Sequence, residues 1–185
     1  SRVGLAISNC NLYLSEYSDH DATMTAEIRF LRALYYSIWL DAFGNVPFSE
    51  TVGSATRYTQ AELFDWLVNE LKTNVEPNLS APKAKKSGDA NYGRVDKAAA
   101  WLLLSRLYLN AEVYSGTAHW EEARSYAEQV IKSDYQLNTV GQNGWSAYQM
   151  LFMGDNGETN AAKEAVFPII QNSKDVRSYG NSLFL

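Results

Sequence analysis

The chain has 185 residues, of which 46% are hydrophobic, with 5 Trp, 12 Tyr and 7 Phe; this composition argues against disorder and suffices for one domain with a substantial core. A formal net charge of −5 is spread with mixed signs, and the basic cluster Lys83, Lys85 and Lys86 is confined to one short stretch, which disfavours nucleic acid as the main partner because phosphate neutralisation needs a basic face. The single cysteine, Cys10, leaves no intramolecular disulfide, no apolar run approaches the roughly 20 residues that span a bilayer, and Ser1-Arg2-Val3-Gly4 has no signal-peptide core.

Val3, Ile7, Cys10, Leu14 and Tyr17 step by four and three, so the chain begins inside an amphipathic helix and reads as a piece of a longer protein. Cys10 lies on that stripe as a small buried hydrophobe rather than a reactive thiol. Ser18-Asp19-His20-Asp21 supplies turn and capping chemistry. A second helix follows, with Met24, Ile28, Leu31, Tyr35, Ile38 and Ala42 predicted as its seam, and Phe30, Leu34 and Trp39 broadening the apolar surface. Gly44 stands at the C-terminal cap and Pro47 prevents resumption. From Ser49 to Tyr58 no periodicity is visible, which predicts a surface loop. Thr59-Gln60-Ala61-Glu62 is a capping box for a third helix carrying Phe64, Leu67, Val68, Leu71 and Val75, and Pro77 ends it. A solvated connector from Asn78 to Tyr92 leads to the most apolar stretch of the chain.

Between Val95 and Val113 nearly every position is apolar or small, which predicts a helix buried on almost all sides, with Asp96 as N-cap and Val95 and Ala100 as a hydrophobic staple. Ser115-Gly116-Thr117 breaks it. Trp120, Ala123, Ala127, Val130 and Ile131 then recur at helical spacing, with Glu121, Glu122, Arg124, Glu128 and Lys132 on the other face, so the two segments form a helical hairpin. Trp101, Leu104, Ser105 and Tyr108 on the first helix and Ala123 and Ala127 on the second fit a tetratricopeptide unit with a lengthened turn and no closing Pro. Such a unit needs neighbouring helix pairs to bury its face. Beyond Leu137, Gly141, Gly144, Gly154, Gly157 and Gly180 punctuate a segment rich in Asn, Ser and aromatics, and its apolar run Ala165–Ile170 reads as a strand or a core-filling loop.

Two stretches carry a family resemblance. Ala26-Glu27-Ile28-Arg29-Phe30-Leu31-Arg32-Ala33-Leu34-Tyr35-Tyr36 leads into Phe43-Gly44-Asn45-Val46-Pro47-Phe48. Gly93-Arg94-Val95-Asp96-Lys97-Ala98-Ala99-Ala100 leads through the Leu-rich helix and Trp120-Glu121-Glu122-Ala123 to Ser133-Asp134-Tyr135-Gln136-Leu137, with Glu164-Ala165-Val166-Phe167-Pro168-Ile169 after them. In order and spacing these resemble the SusD/RagB family of cell-surface glycan-binding lipoproteins of Bacteroidetes, whose members are much longer. The chain resembles their N-terminal to central portion, without the lipoprotein signal or acylated cysteine. The resemblance implies an outer-membrane, cell-surface location through a lipid anchor outside this sequence. It also implies helices that dock on a SusC-like TonB-dependent outer-membrane transporter, and a site for oligosaccharide or polysaccharide on loops away from those helices.

No residue pattern is catalytic. His20 and His119 have no second His or Cys near them in sequence, and no nucleophile elbow, phosphate loop or zinc-protease motif is present, so no enzyme activity, metal or cofactor is expected. Asp155-Asn156-Gly157-Glu158-Thr159-Asn160 lacks EF-hand spacing and reads as a surface turn rather than a calcium site. Arg29 and Arg32 read as ion-pair partners of a neighbouring helix rather than anion ligands. Sugar binding asks for exposed aromatic faces that stack on pyranose C–H groups, with amides or charged groups beside them for the hydroxyls. Trp145, Tyr148 and Tyr179, outside the helix stripes, together with Asn143, are the candidate glycan-binding residues; Gln142 and Arg177 accompany them.

The expectation is therefore an all-α fold of tetratricopeptide-like helical hairpins over residues 1–137, followed by a loop-rich segment over 138–185. The expected function is non-enzymatic capture of glycan for delivery to a transporter. A tetratricopeptide scaffold for protein partners is the alternative, and a carbohydrate-active enzyme a weaker third.

Overall fold

In a computed structural model that describes residues 2–170, the chain is helical, with one two-stranded sheet. The described residues divide into two compact units, one formed by 2–83 and 95–136, the other by 84–94 and 137–170.

In the first unit, α1 (Arg2–Tyr17) and α2 (Ala22–Phe43) pack as a hairpin, and Asp21 caps α2 by accepting from the Met24 N–H at 2.7 Å. Ile7 and Cys10 are buried as the stripe requires. The seam predicted for α2 is displaced. Met24 and Ile38 are 39% and 45% exposed, while the buried positions are Ala26, Phe30, Ala33, Tyr36, Ser37 and Leu40, with Arg32 among them. The helix is apolar around most of its circumference, so spacing alone does not select a face. Contact with both α1 and the third helix selects the side whose alanines admit close approach.

Gly44, at φ +67°, ends α2, its N–H bonded to the Leu40 carbonyl. The segment predicted as an aperiodic loop ends in a strand. β2 (Thr56–Tyr58) pairs antiparallel with β1 (Val46–Phe48), Val46 opposite Tyr58 and Phe48 opposite Thr56. Aromatic packing explains the pairing: Phe48 stacks on Tyr58 with centroids 4.0 Å apart and meets Tyr36 and Trp66 at 5.0 and 4.8 Å. The capping box of α3 (Gln60–Glu70) forms in full, and hydrogen bonds from the Thr59 N–H and hydroxyl hold the Glu62 carboxyl below its ordinary range. Past Glu70 the helix widens into a π turn, Leu71–Val75, then tightens into a 3₁₀ turn, Glu76–Asn78, where Pro77 stops it.

The central hairpin consists of α4 (Lys97–Leu109), the single turn α5 (Ala111–Ser115) and α6 (Trp120–Ile131). Asp96, wholly buried, accepts from the Ala98 N–H at 2.9 Å, the Lys83 N–H at 3.0 Å and the Tyr135 hydroxyl at 2.8 Å. Burial and this carboxylate push the Tyr135 phenol far above its ordinary pKa. α4 and α6 pack closely: the Ser105 hydroxyl donates to the Ala123 carbonyl at 2.9 Å, and Tyr108 stacks parallel to Tyr126 at 5.9 Å. The expected all-round burial of one helix from Val95 to Val113 is corrected: the helix breaks at Asn110, and Leu102 and Leu109 of α4 and Val113 of α5 are 42%, 55% and 74% exposed. The stripe of α6 is likewise only partly covered, with Ala123 buried but Trp120 and Ile131 exposed. Among the described residues no further helix pair stacks on this face, and one unit cannot bury it alone.

Beneath these helices lies a buried charged cluster. Arg32, only 2% exposed, donates to Asn11 Oδ1 at 3.0 Å, the Glu50 carbonyl at 3.3 Å, Glu50 Oε1 at 3.1 Å and Glu70 Oε1 at 2.9 Å. Arg29 joins Glu70 at 2.8 Å, and Asn74 donates to the second Glu70 oxygen at 2.6 Å. Burial raises the pKa of Glu70, but these donors and the two guanidinium charges outweigh it, and the net displacement is downward. Asn11 and the Tyr36 hydroxyl bind the backbone of Ser49, so the loop after β1 is tied to the cluster. The two arginines thus serve the ion pairing expected of them.

No helix among the described residues is long and apolar enough to cross a membrane.

Candidate functional site

The second unit holds the loop aromatics. Its first feature is a tight turn in which Gln142 and Trp145 exchange backbone hydrogen bonds of 3.1 and 2.9 Å. Asn143 and Gly144 between them take φ of +54° and +83°, the left-handed pair of a type I′ turn and the reason Asn-Gly suits it. Gly141 is required by close approach, since a Cβ there would collide with the Trp145 carbonyl oxygen. Next comes α7 (Ala147–Met150), started by a capping box in which Ser146 accepts from the Gln149 N–H and the Gln149 side chain accepts from the Ser146 N–H. The Asn138 amide donates to the Ala147 carbonyl at 2.9 Å, and its N–H donates to Glu164 at 2.8 Å, tying both ends of the loop region together.

This scaffold presents the candidates as follows. Trp145 is 49% exposed at the end of the turn, Tyr148 is 70% exposed on α7, and Asn143 is exposed at the turn's apex. The turn brings Asn143 and Trp145 together. Tyr148 takes a different ring partner: it meets Phe152 edge-on, with centroids 5.1 Å apart. Tyr179 and Arg177 lie outside the described residues.

Phe152, 71% exposed, is the residue that sequence reasoning missed. It stands four positions after Tyr148, the spacing at which side chains meet along a helical turn, and this was the available signal. Besides touching Tyr148, it lines a cleft of about 650 Å³ whose apolar walls include Tyr92, Leu151 and Pro168 and whose polar groups include Asn156 and Glu158. Trp145 and Tyr148 do not line that cleft; Phe152 joins it to the exposed aromatic strip. The Ser87 N–H donates to the Gly157 carbonyl at 2.7 Å, and Gly157 leaves room for the Tyr92 hydroxyl, so the segment 84–94 forms one wall. The run Ala165–Ile170 is irregular and adds to the rim: it is neither a strand nor core filling, with Ile169 80% exposed. Asp155–Asn160 contains one 3₁₀ turn, Asn156–Glu158, and leads into a second, Asn160–Glu164, and no group of His, Cys, Asp and Glu among the described residues is arranged to hold a metal.

Chemically, the arrangement offers flat apolar faces in solvent beside amide and carboxylate groups. That combination suits a ligand with one apolar face and many hydroxyls.

No protein-family model matches the chain. It is 40% identical over 191 aligned positions to the starch-binding protein SusD of Bacteroides thetaiotaomicron, an alignment that covers 100% of this chain and 32% of that protein. A SusD-like protein from Bacteroides fragilis superposes with a TM-score of 0.72 at 23% identity, covering 94% of this chain and 33% of the other. A SusD-like carbohydrate-binding protein from the same species gives 0.65 at 26% identity, with 84% and 30% covered. The chain thus spans about a third of the length of the relatives it matches. With identity along its whole length to SusD and with the helical architecture of SusD-like structures, the chain belongs to the SusD/RagB family.

Proposed function

We propose that this chain is part of a non-enzymatic protein that binds oligosaccharide or polysaccharide at the bacterial cell surface. In this reading it is anchored at the outer membrane by a lipid outside the present sequence and hands glycan to a SusC-like TonB-dependent transporter. The observation that carries the binding reading is the exposure of Trp145 at the end of the turn and of the ring pair Tyr148 and Phe152 just after it, in a chain 40% identical to a starch-binding protein. The rings stack on sugar C–H faces; Asn143 and Gln142 bond hydroxyls. Affinity comes from stacking and a few hydrogen bonds, with no cofactor. The helices of the first unit are the scaffold and the side that meets the transporter, a role supported by the apolar side chains Leu109, Val113, Trp120 and Ile131 left in solvent.

Affinity electrophoresis through gels containing a panel of polysaccharides tests the binding reading, with Trp145→Ala and Tyr148→Ala run beside the parent. Retardation by one polysaccharide is expected, weakened in either variant by about 1–2 kcal/mol, roughly five- to thirtyfold, with the helical circular dichroism unchanged and the sugar recovered at full length. Free migration in every gel refutes the reading. Shortened sugar would instead indicate an enzyme.

A further inference from the structure

The cleft of the second unit has a one-sided charge pattern. Three carboxylates line it, from Asp155, Glu158 and Glu164, and no Lys or Arg is among its lining residues within the described part of the chain. Asp155 and Glu158 flank a 3₁₀ turn and are exposed; Glu164 is half-buried, oriented by the Asn138 N–H. Among the described residues, the basic side chains near these segments in sequence stay off the lining. The Lys85 ammonium bonds the carbonyls of Asn91 and Arg94, and Lys86 and Lys163 do not line the cleft. The facing walls are apolar, built on Tyr92, Phe152, Pro168 and Ile169.

We infer that this cleft takes an uncharged glycan and excludes one bearing carboxylates or sulfates, an inference that rests on the glycan-binding reading above. A uronate or sulfate brought into the cleft meets like charges, with no cation among the described lining residues to offset the loss of its hydration, and a concave wall of one sign focuses that repulsion. A neutral sugar instead offers hydroxyl donors, which carboxylates accept in charge-assisted bonds, while its C–H face lies on the rings. The lining therefore matches one class of glycan at both its polar and its apolar sides.

Calorimetric titration of the chain at about 0.01 M salt, where screening is weak over roughly 30 Å, tests this with oligosaccharides of equal length. Maltohexaose, laminarihexaose and cellohexaose are the neutral probes; hexagalacturonate and a heparin hexasaccharide are the anionic ones. A neutral probe is expected to bind on the order of tenfold or more tightly than either anionic one. The gap should narrow at least about threefold in the double variant Asp155→Asn/Glu158→Gln and again at high salt. Equal or tighter binding of an anionic probe overturns the inference and leaves the glycan-binding reading standing. A gap that the double variant does not change overturns the assignment to these carboxylates. Failure of every probe and every polysaccharide gel overturns the underlying reading instead.

Discussion

Replacing Arg32 with Met removes the guanidinium that the first unit is closed around, while keeping a flexible apolar stem of similar reach. At 2% exposure Arg32 makes two carboxylate pairs, 2.9 Å to Glu70 and 3.1 Å to Glu50, and two bonds to neutral acceptors, and it sits 5.3 Å from the centre of the Trp66 ring. Glu50 is half in water and contributes little. Glu70 is the costly partner, because its side chain is only 4% exposed and keeps only Arg29 and Asn74 after the change. Breaking such a buried pair from one side costs about 3–5 kcal/mol. That is a large part of the roughly 5–15 kcal/mol typical of a domain. Urea denaturation followed by circular dichroism should show a lower midpoint at unchanged slope. Arg32→Lys, which keeps the charge and loses the fork, should fall between Met and the parent. A loss under about 1 kcal/mol in Arg32→Met, the size of a solvated surface pair, would refute the claim that this cluster is buried and closes the unit.

Two further outcomes follow from the buried carboxylates. The folded-state pKa of Glu70 is lowered, so its contribution to stability is fully present above the unfolded value of about 4.3 and is lost as pH falls through the folded one. The urea midpoint should therefore drop below about pH 4, with a shallower drop in Glu70→Gln, and parallel pH profiles for the two proteins would contradict the assignment. Tyr135→Phe removes one of three donors to the buried Asp96 carboxylate and should cost about 1.5–3 kcal/mol in the same assay. A neutral result would mean that water replaces the hydroxyl.

Much of the frame was legible because local chemistry dictates it. Asp21, Thr59 and Asp96 are caps whose side chains bond the first N–H groups of whatever helix follows them, and Gly44 and Pro77 end helices through their own backbone limits. Ile7 and Cys10 are buried on the stripe that the spacing picks out, although Tyr17 at its end is exposed. The seam of α2 was not legible, since a helix apolar on most sides carries no periodic signal to choose among them. Nor was the β1–β2 pairing, which depends on Phe48 meeting Tyr58, Tyr36 and Trp66.

The candidate site divides the same way. That Trp145 and Tyr148 stand outside the helical core follows from their Gly- and Asn-rich surroundings, and Asn143-Gly144 encodes its own turn. The cleft does not follow, because it joins Tyr92 to Phe152 across some sixty residues, held by Ser87 on Gly157 and Asn138 on Glu164. Sequence by itself determined most of the longer helices, the caps that start them, the family and the exposure of Trp145 and Tyr148, all of which are set by interactions within a few residues or by motif order. Only the tertiary structure decided which helix face is buried, that Arg32 is enclosed by Glu70 and Asn11, and that carboxylates are the charged groups among the described residues lining the cleft. Those are contacts between distant residues, chosen by the energy of the whole packing rather than by any local preference.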